Sequence, residues 1–349
     1  MDYSKQRLKV VEILQINRDV RCYRFAPADE GSRLEGFKAG QFINLFFEID
    51  GSTASRPYSI ASSPKEAEAG YYDLYIHGGG EFTAKWLFEH VAVGDVFEAS
   101  KPIGDFCIDS ASTGPIIGIS GGMSVTPLRS MARAVADGSV QARLSLFCGW
   151  DRPEEVLFYE EFLQLSRDCD RINAVFAVAD VPVEGMEHGY ITRDIICNNA
   201  DMRDAEFFLC GPKVMYDFLE RELAPLNIPP EKYHIEVPGE VKQRPASGKD
   251  GLRDKFFNLT LAIGEKVHRI KISSEETILV GMERAGIKPE SRCRSGSCGY
   301  CRAILQDGTV VTDPDRETRD TTEIVQGIIR TCCTFALSDL SLKIDIDGR

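Results

Sequence analysis

At 349 residues, 43% hydrophobic and 27% charged, the chain has the composition of a globular protein and the length of two or three domains. Its net charge of −13, from 41 basic and 54 acidic residues, argues against nucleic acid as a partner. The start, "MDYSKQRLKVVEIL", lacks a signal-length apolar run, and no stretch of about 18 apolar residues follows, so a cytoplasmic protein off the membrane is expected, its eleven cysteines serving as ligands or free thiols rather than disulfides.

From Leu8 to about Ile108, short β-type runs alternate with turn signals: "LKVVEIL", "VRCYRF", "QFINLFFEI", "RPYSIAS", "YYDLYIH", "DVFEAS". Many short strands separated by Gly and Pro predict an antiparallel barrel or sandwich over residues 1–110. Within it "RPYS" spaces Arg56, Tyr58 and Ser59 to offer a guanidinium for a pyrophosphate, a flat ring for an aromatic cofactor and a hydroxyl for a ring nitrogen. Alone that tetrapeptide is equally well an exposed strand with a packed tyrosine. It is followed, however, by "YIHGGGEFTAKWLFEHVAVGDVFEASKPIGDF", and the whole order resembles the ferredoxin-NADP reductase superfamily. The resemblance implies a flavin held by Arg56, Pro57, Tyr58 and Ser59, by Ile76 and His77, and by Phe82 and Thr83, with Thr83 at the phosphate. The "PIGDF" form is similar to FAD-containing members such as the reductase portion of flavohaemoglobins, so FAD is expected over FMN.

At Gly114 the texture changes to apolar runs alternating with helical patterns: "PIIGIS" then "TPLRSMARAVA", "RLSLFCGW" then "PEEVLFYEEFLQLS", "NAVFAVA", "EFFLCG" then "PKVMYDFLERELAPL". Strands separated by helices predict a doubly wound parallel α/β sheet over 111–237. Gly121 and Gly122 form a glycine turn before a helix opened by Thr126 and Pro127, an anion site suited to a pyrophosphate. In the superfamily this turn carries a third glycine, replaced here by Ser124, which puts a side chain beside the phosphates. "FFLCGPKVM" resembles the family's second nucleotide mark. It implies that Cys210 lies near a nicotinamide ring, with Gly211 and Met215 around it and Glu236 as an acidic neighbour of the flavin. Without that motif Cys210 reads as the small apolar end of a core strand. In "FAVADVP", Asp180 stands where NADP-specific relatives carry phosphate-binding groups; a carboxylate repels a phosphate and accepts hydrogen bonds from ribose hydroxyls, so NADH is expected over NADPH.

Residues 238–251, "PGEVKQRPASGKDG", are polar and without apolar periodicity, and read as a linker. Beyond it, 252–349 is electrically balanced, with 15 basic and 15 acidic residues from Gly251 onward, and reads as a hairpin, a helix, a cysteine loop and short closing elements. In "SRCRSGSCGYCRA", Cys293, Cys298 and Cys301 are spaced C-x4-C-x2-C, with a distant partner in "RTCCTF". Zinc sites combine two tight pairs, and only one is present. The pattern resembles the plant-type ferredoxins and implies an α+β β-grasp domain holding a 2Fe-2S cluster. Gly296, Ser297 and Gly299 would let the backbone wrap the sulfurs. By the same resemblance Cys332 is the fourth ligand and Cys333 a packed thiol. Arg292, Arg294 and Arg302 flank the loop, where positive charge would favour the reduced cluster and raise its potential.

Taken along the whole chain, the likeness is to one-chain reductases that carry electrons from NADH through FAD and a 2Fe-2S cluster to a partner terminal enzyme such as an oxygenase, hydroxylase or demethylase. Ser59, Cys210 and Glu236 are the expected catalytic residues. Two other readings remain open at this point: an iron-sulfur carrier or redox sensor with decayed flavin and nucleotide domains, and a zinc-stabilised flavoenzyme.

Overall fold

The computed structural model describes residues 5–49, 51–79, 82–236, 244–245 and 252–344, excluding the side chains of Ser52, Thr53 and Phe82. Of the expected linker only Arg244 and Pro245 fall within these residues. The chain forms two compact units, Met1–Leu45 with Tyr58–Pro238, and Phe46–Pro57 with Gly239–Arg349.

In the N-terminal part, β1 (Gln6–Gln15), β2 (Val20–Pro27), β3 (Phe42–Ile49), β4 (Ser52–Ser59), β5 (Tyr72–His77) and β6 (Val96–Ala99) form one sheet in the order β4-β3-β6-β1-β2-β5. The pairs β1/β2, β1/β6 and β2/β5 are antiparallel. The chain just past β4 meets β5, where the Ala61 N–H donates to the Asp73 carbonyl at 2.9 Å, and the result is a near-closed barrel. Apolar and aromatic residues at every second position put Leu8, Val10, Tyr23, Phe25 and Leu74 inside. The strand-and-turn reading of this stretch misses two helices, α1 (Pro64–Glu68) and α2 (Phe82–His90). α1 had a legible signal: Ser63 accepts the Glu66 N–H and the Glu66 carboxylate accepts the Ser63 N–H, a capping box.

The same unit continues through β7 (Pro115–Gly121), α3 (Thr126–Ala136), β8 (Arg143–Trp150), α4 (Tyr159–Asp168), β9 (Ile172–Val178), β10 (Glu187–His188), α5 (Arg193–Asn199), β11 (Glu206–Cys210), α6 (Lys213–Leu223) and β12 (Tyr233–Glu236). The six strands are all parallel in the order β10-β9-β8-β7-β11-β12. Adjacent residues enter two different cores: Ile116 and Phe208 pack on one face, Ile117 and Phe207 on the other. Burial on both faces is why these strands read as continuous apolar runs. The first core also takes Val20, Ala39, Phe106 and Ile108, so barrel and parallel sheet share one interior. α3 lies in that shared interior and is buried around nearly its whole circumference, Arg129 and Ser130 included.

The second unit contains β13 (Phe256–Ile263), β14 (Lys266–Ser273), α7 (Ile278–Arg284), β15 (Arg302–Asp307), β16 (Val310–Thr312), α8 (Thr321–Val325), β17 (Ile328–Arg330), β18 (Thr334–Ala336) and β19 (Leu340–Ile344). Its sheet runs β14-β13-β19-β15-β17, with β16-β18 as a separate ribbon and β13/β19 the parallel pair. Ile278, Leu279 and Met282 of α7 pack on Leu259, Leu261 and Leu342, and Cys301, Cys332 and Cys333 belong to the same core. One helix over such a mixed sheet is the β-grasp arrangement.

Candidate redox site

The barrel places its expected flavin residues on strands at the two ends of the sheet order. In the first unit, Tyr58 and Ser59 are half-buried on β4, Ile76 is buried on β5 and His77 is exposed at its end. The His77 Nδ1 accepts from the Gly79 N–H at 3.1 Å. Strands at the limits of a sheet keep backbone donors and acceptors for a ligand. Thr83 is 2% exposed in the first turn of α2, where helical N–H groups lack internal partners. Gly80 and Glu81, which complete the glycine turn, lie outside the described residues. Arg56 and Pro57 fall in the second unit. The Arg56 guanidinium donates to the Ser55 carbonyl at 2.9 Å and stands 3.7 Å from the Glu283 carboxylate, so it already has an anionic neighbour, which the motif did not disclose.

The parallel sheet brings the two nicotinamide motifs to one place. β7 is flanked by β8 and β11, so the carboxyl ends of β7 and β11 form the switch-point crevice of an open α/β sheet. There Cys210 pairs with Ser120 across the ladder and Glu236 with Cys210. A Cβ on Gly211 would stand 2.6 Å from the Met215 sulfur and 3.4 Å from the Gly121 nitrogen, and one on Gly121 would stand 2.9 Å from the same sulfur. A side chain at either position would have to displace the Met215 thioether. Thr126 begins α3 with Pro127 in its first turn, but a separate 3-10 turn, Gly122–Val125, precedes it.

The Cys210 Sγ–H donates to Glu236 Oε2 at 3.4 Å. Burial and the Glu236 carboxylate hold this thiol well above its ordinary pKa, while a hydrogen bond from Ser124 acts the other way. Cys210 is therefore a neutral thiol at pH 7, and Ser124 reaches its sulfur. Tyr216, which the motifs did not flag, accepts the Gly211 N–H at 2.7 Å and donates to the Glu236 carbonyl, tying β11 to β12. Asp180 follows β9, its N–H bonded to the Asp151 carbonyl at 2.9 Å.

In the second unit the four expected thiols stand as two pairs. Cys293 and Cys298 are linked by the Cys298 N–H to the Cys293 sulfur at 3.3 Å and the Cys293 N–H to the Cys298 sulfur at 3.5 Å. Cys301 and Cys332 sulfurs are 3.2 Å apart. The Ser295 N–H also points at the Cys293 sulfur, at 3.4 Å, and hydrogen bonds from Cys298, Ser295 and Ser297 lower the Cys293 pKa against the effect of burial. Arg294, Gly296 and Gly299 take left-handed φ angles of +57, +88 and +72°, which curl the loop so that its N–H groups turn inward. The Cys333 sulfur lies within 3.5 Å of the Arg330 carbonyl and 3.1 Å from where a Gly296 Cβ would stand.

Residues 7–108 match the family described as an oxidoreductase FAD-binding domain, 119–221 an oxidoreductase NAD-binding domain, and 263–337 a 2Fe-2S iron-sulfur cluster binding domain. The three matched domains are the set that the resemblance to the ferredoxin-NADP reductase superfamily calls for, and together they make the chain an FAD- and NAD-dependent oxidoreductase with a 2Fe-2S domain. This reductase is 26% identical to the glycine betaine monooxygenase reductase subunit of Chromohalobacter salexigens over 97% of its own length and 95% of that protein's. It is equally similar, at 26%, to the NADH oxidoreductase HCR of Escherichia coli over 96% and 97%. The solved structure of phthalate dioxygenase reductase shares its fold over 98% of both chains, with a TM-score of 0.73 at 20% identity. The reductase is thus a flavin- and nicotinamide-dependent oxidoreductase with a 2Fe-2S domain.

Its own donor set fits that cluster. Two thiolates for each of two irons is what the paired cysteines supply. The flanking arginines are less free than the sequence implied: Arg294 is buried and bidentate to Glu283 at 2.7 and 2.9 Å, Arg302 stands 2.7 Å from Glu323, and Arg292 lies over the Tyr300 ring at 3.4 Å from its centroid.

Proposed function

We propose that this chain is the reductase component of a multicomponent system, taking electrons from NADH and delivering them singly to a separate acceptor protein of the oxygenase, hydroxylase or demethylase type. The carrying observation is the thiol pairing, two sulfurs per iron, in the same chain as a switch-point crevice suited to a dinucleotide. When bound, a flavin accepts two electrons from a nicotinamide and passes them on one at a time, as an iron-sulfur cluster requires.

In this reading the domains are 1–110, 111–237 and 252–349, with 238–251 joining them. Tyr58 stacks on the flavin ring, Ser59 hydrogen-bonds its edge, and Thr83 and the first turn of α2 hold phosphate, with Ile76, His77 and Phe82 as further flavin residues of the first unit; Arg56 and Pro57 remain flavin-binding candidates by the resemblance. Gly121, Gly122, Thr126, Pro127, Gly211 and Met215 shape the dinucleotide site. Cys210 and Glu236 are a neutral donor and an acceptor beside the nicotinamide, and the Ser124 hydroxyl orients the Cys210 sulfur, the job left by its absence from the phosphate-binding glycines. Cys293, Cys298, Cys301 and Cys332 hold the cluster. Eleven unpaired cysteines suit a reducing, cytoplasmic location, and among the described residues no helix is long and apolar enough to cross a membrane.

A visible spectrum of the purified protein tests this: flavin and cluster bands that both bleach on adding NADH support it, and a cluster without flavin, or flavin without iron and sulfide, overturns it. NADH is preferred over NADPH because Asp180 repels a 2′-phosphate. Arg152, a counter-charge that interacts with Asp180, is itself held by Glu155 at 2.9 Å. Asp180→Ala is expected to narrow the NADH-to-NADPH ratio of kcat/KM about tenfold, worth about 1.4 kcal/mol; a parent enzyme that prefers NADPH would refute the assignment.

A further inference from the structure

The sequence directs attention to the arginines inside the cysteine loop, yet the guanidinium best placed to act on the cluster comes from outside it. We propose that Arg330 raises the reduction potential of the cluster and that Glu323 opposes it, an inference that rests on the cluster reading above.

Arg330 ends β17, pairs across the sheet with Arg302, and precedes Cys332 by two residues. The intervening Thr331 N–H donates to the carbonyl of ligand Cys301 at 3.0 Å, so the backbone on both sides of this arginine is fixed to the Cys301/Cys332 pair. Its side chain is 4% exposed. Nη2 donates to Glu323 Oε2 at 2.7 Å, whereas Nε and Nη1 are buried and have no hydrogen-bond partner among the described residues. The guanidinium lies against the cysteine loop: its Cζ is 3.5 Å from where a Gly299 Cβ would stand, and Gly299 sits between ligands Cys298 and Cys301.

Burying two donors without partners carries the desolvation penalty of both. A nearby anion removes that cost, and a 2Fe-2S cluster held by four thiolates is an anion that gains one more negative charge on reduction. A buried cation stabilises the reduced form more than the oxidised one, with little screening by salt. Charge balance points the same way. Glu323 is shared by Arg330 and Arg302, each at 2.7 Å, and the adjoining Arg319–Glu317 pair faces both Glu323 and Arg330, so three guanidiniums stand against two carboxylates. Arg302 is half exposed and Arg294 is fully engaged by Glu283; Arg330 combines burial with an incomplete set of partners.

The test is the midpoint potential of the cluster, read by dye-mediated titration with electron paramagnetic resonance, in full-length variants whose iron and sulfide content matches the parent. Arg330→Gln is expected to lower the potential by about a tenfold change in the one-electron equilibrium constant, about 59 mV, Glu323→Gln to raise it, and Arg330→Lys to lower it less than Arg330→Gln. A residue that only supports the fold would not produce shifts of opposite sign. Unchanged potentials at full cluster content, shifts in the same direction, or a Lys variant as low as the Gln variant overturn the proposal. Should Arg330→Gln fail to assemble a cluster, Glu323→Gln decides alone: a rise supports, no rise refutes. A parent protein lacking iron and sulfide instead defeats the cluster reading on which this rests.

Discussion

Cys332 and Cys333 are chemically identical neighbours, and only geometry tells them apart. Cys332 meets Cys301 sulfur to sulfur at 3.2 Å, whereas the Cys333 sulfur packs toward the Arg330 and Arg316 carbonyls. Cys332→Ser is expected to lose iron, sulfide and the visible cluster bands, and Cys333→Ser to retain them; the reverse result in an iron and sulfide assay would reassign the ligand. Cys210 is a second case where the residue alone misleads. A cysteine beside a catalytic crevice invites a nucleophilic reading, but burial and a carboxylate neighbour raise its pKa, so it serves as a neutral hydrogen-bond donor.

At the scale of elements, the junction of α1 and α3 shows how a short helix is held. α1 has five residues, too few to be stable alone. It is fixed by its capping box, by the Tyr71 hydroxyl donating to Glu66 at 2.7 Å and by Arg133 of α3, which forks onto both Glu66 oxygens, the Nε contact at 2.8 Å. Burial acts to raise the Glu66 pKa, but the bonds from Arg133, the Ser63 N–H and Tyr71 outweigh it and the net shift is downward. A carboxyl depressed in the folded state contributes stability above its unfolded pKa and loses it as pH falls through the folded value. Glu66→Gln is therefore expected to destabilise by about 1–2 kcal/mol at pH 7, and the difference from the parent should shrink on acidification below about pH 4.3, the ordinary glutamate value. Urea unfolding at a series of pH values checks this, and a difference independent of pH would contradict it.

For the first compact unit as a whole, Arg129 is the residue that joins its two sheets. Buried at 6% exposure, it donates to the Ala61 carbonyl and to Glu161, each at 2.8 Å, and lies 3.9 Å from Asp73, while its neighbour Ser130 donates to the Ser62 carbonyl at 2.6 Å. The helix that begins at the dinucleotide turn is thereby fastened to the chain that leaves β4. Arg129→Met is expected to cost about 2–3 kcal/mol, softened because Asp73 keeps Arg24 and Glu161 keeps Arg133. In thermal unfolding, the Arg129→Met/Glu161→Gln double variant should cost less than the sum of the single changes; strict additivity would show that the pair is not coupled.

The strands of the barrel, the alternation of strand and helix after Gly114 and the cysteine spacing were legible because each is a local pattern: side chains repeat with the period of their element, and three of the four thiols proposed as cluster ligands sit on one tight loop. The helix from Thr126 to Ala136 could be read to its ends, whereas α2 was hidden by the glycines before it. What one-dimensional pattern does not carry is which charge meets which. Arg294 looked like a free cation and is cancelled by Glu283, eleven residues earlier; Arg330, which no motif singled out, lies buried against the cluster loop; Ser124 looked like an intruder among phosphate-binding glycines and reaches Cys210. Local sequence determined the elements and the ligand types, because backbone geometry and hydrophobic period act over a few residues. Tertiary structure decided the electrostatics, because Coulomb energy depends on distance and burial, and both are fixed only when remote segments pack together.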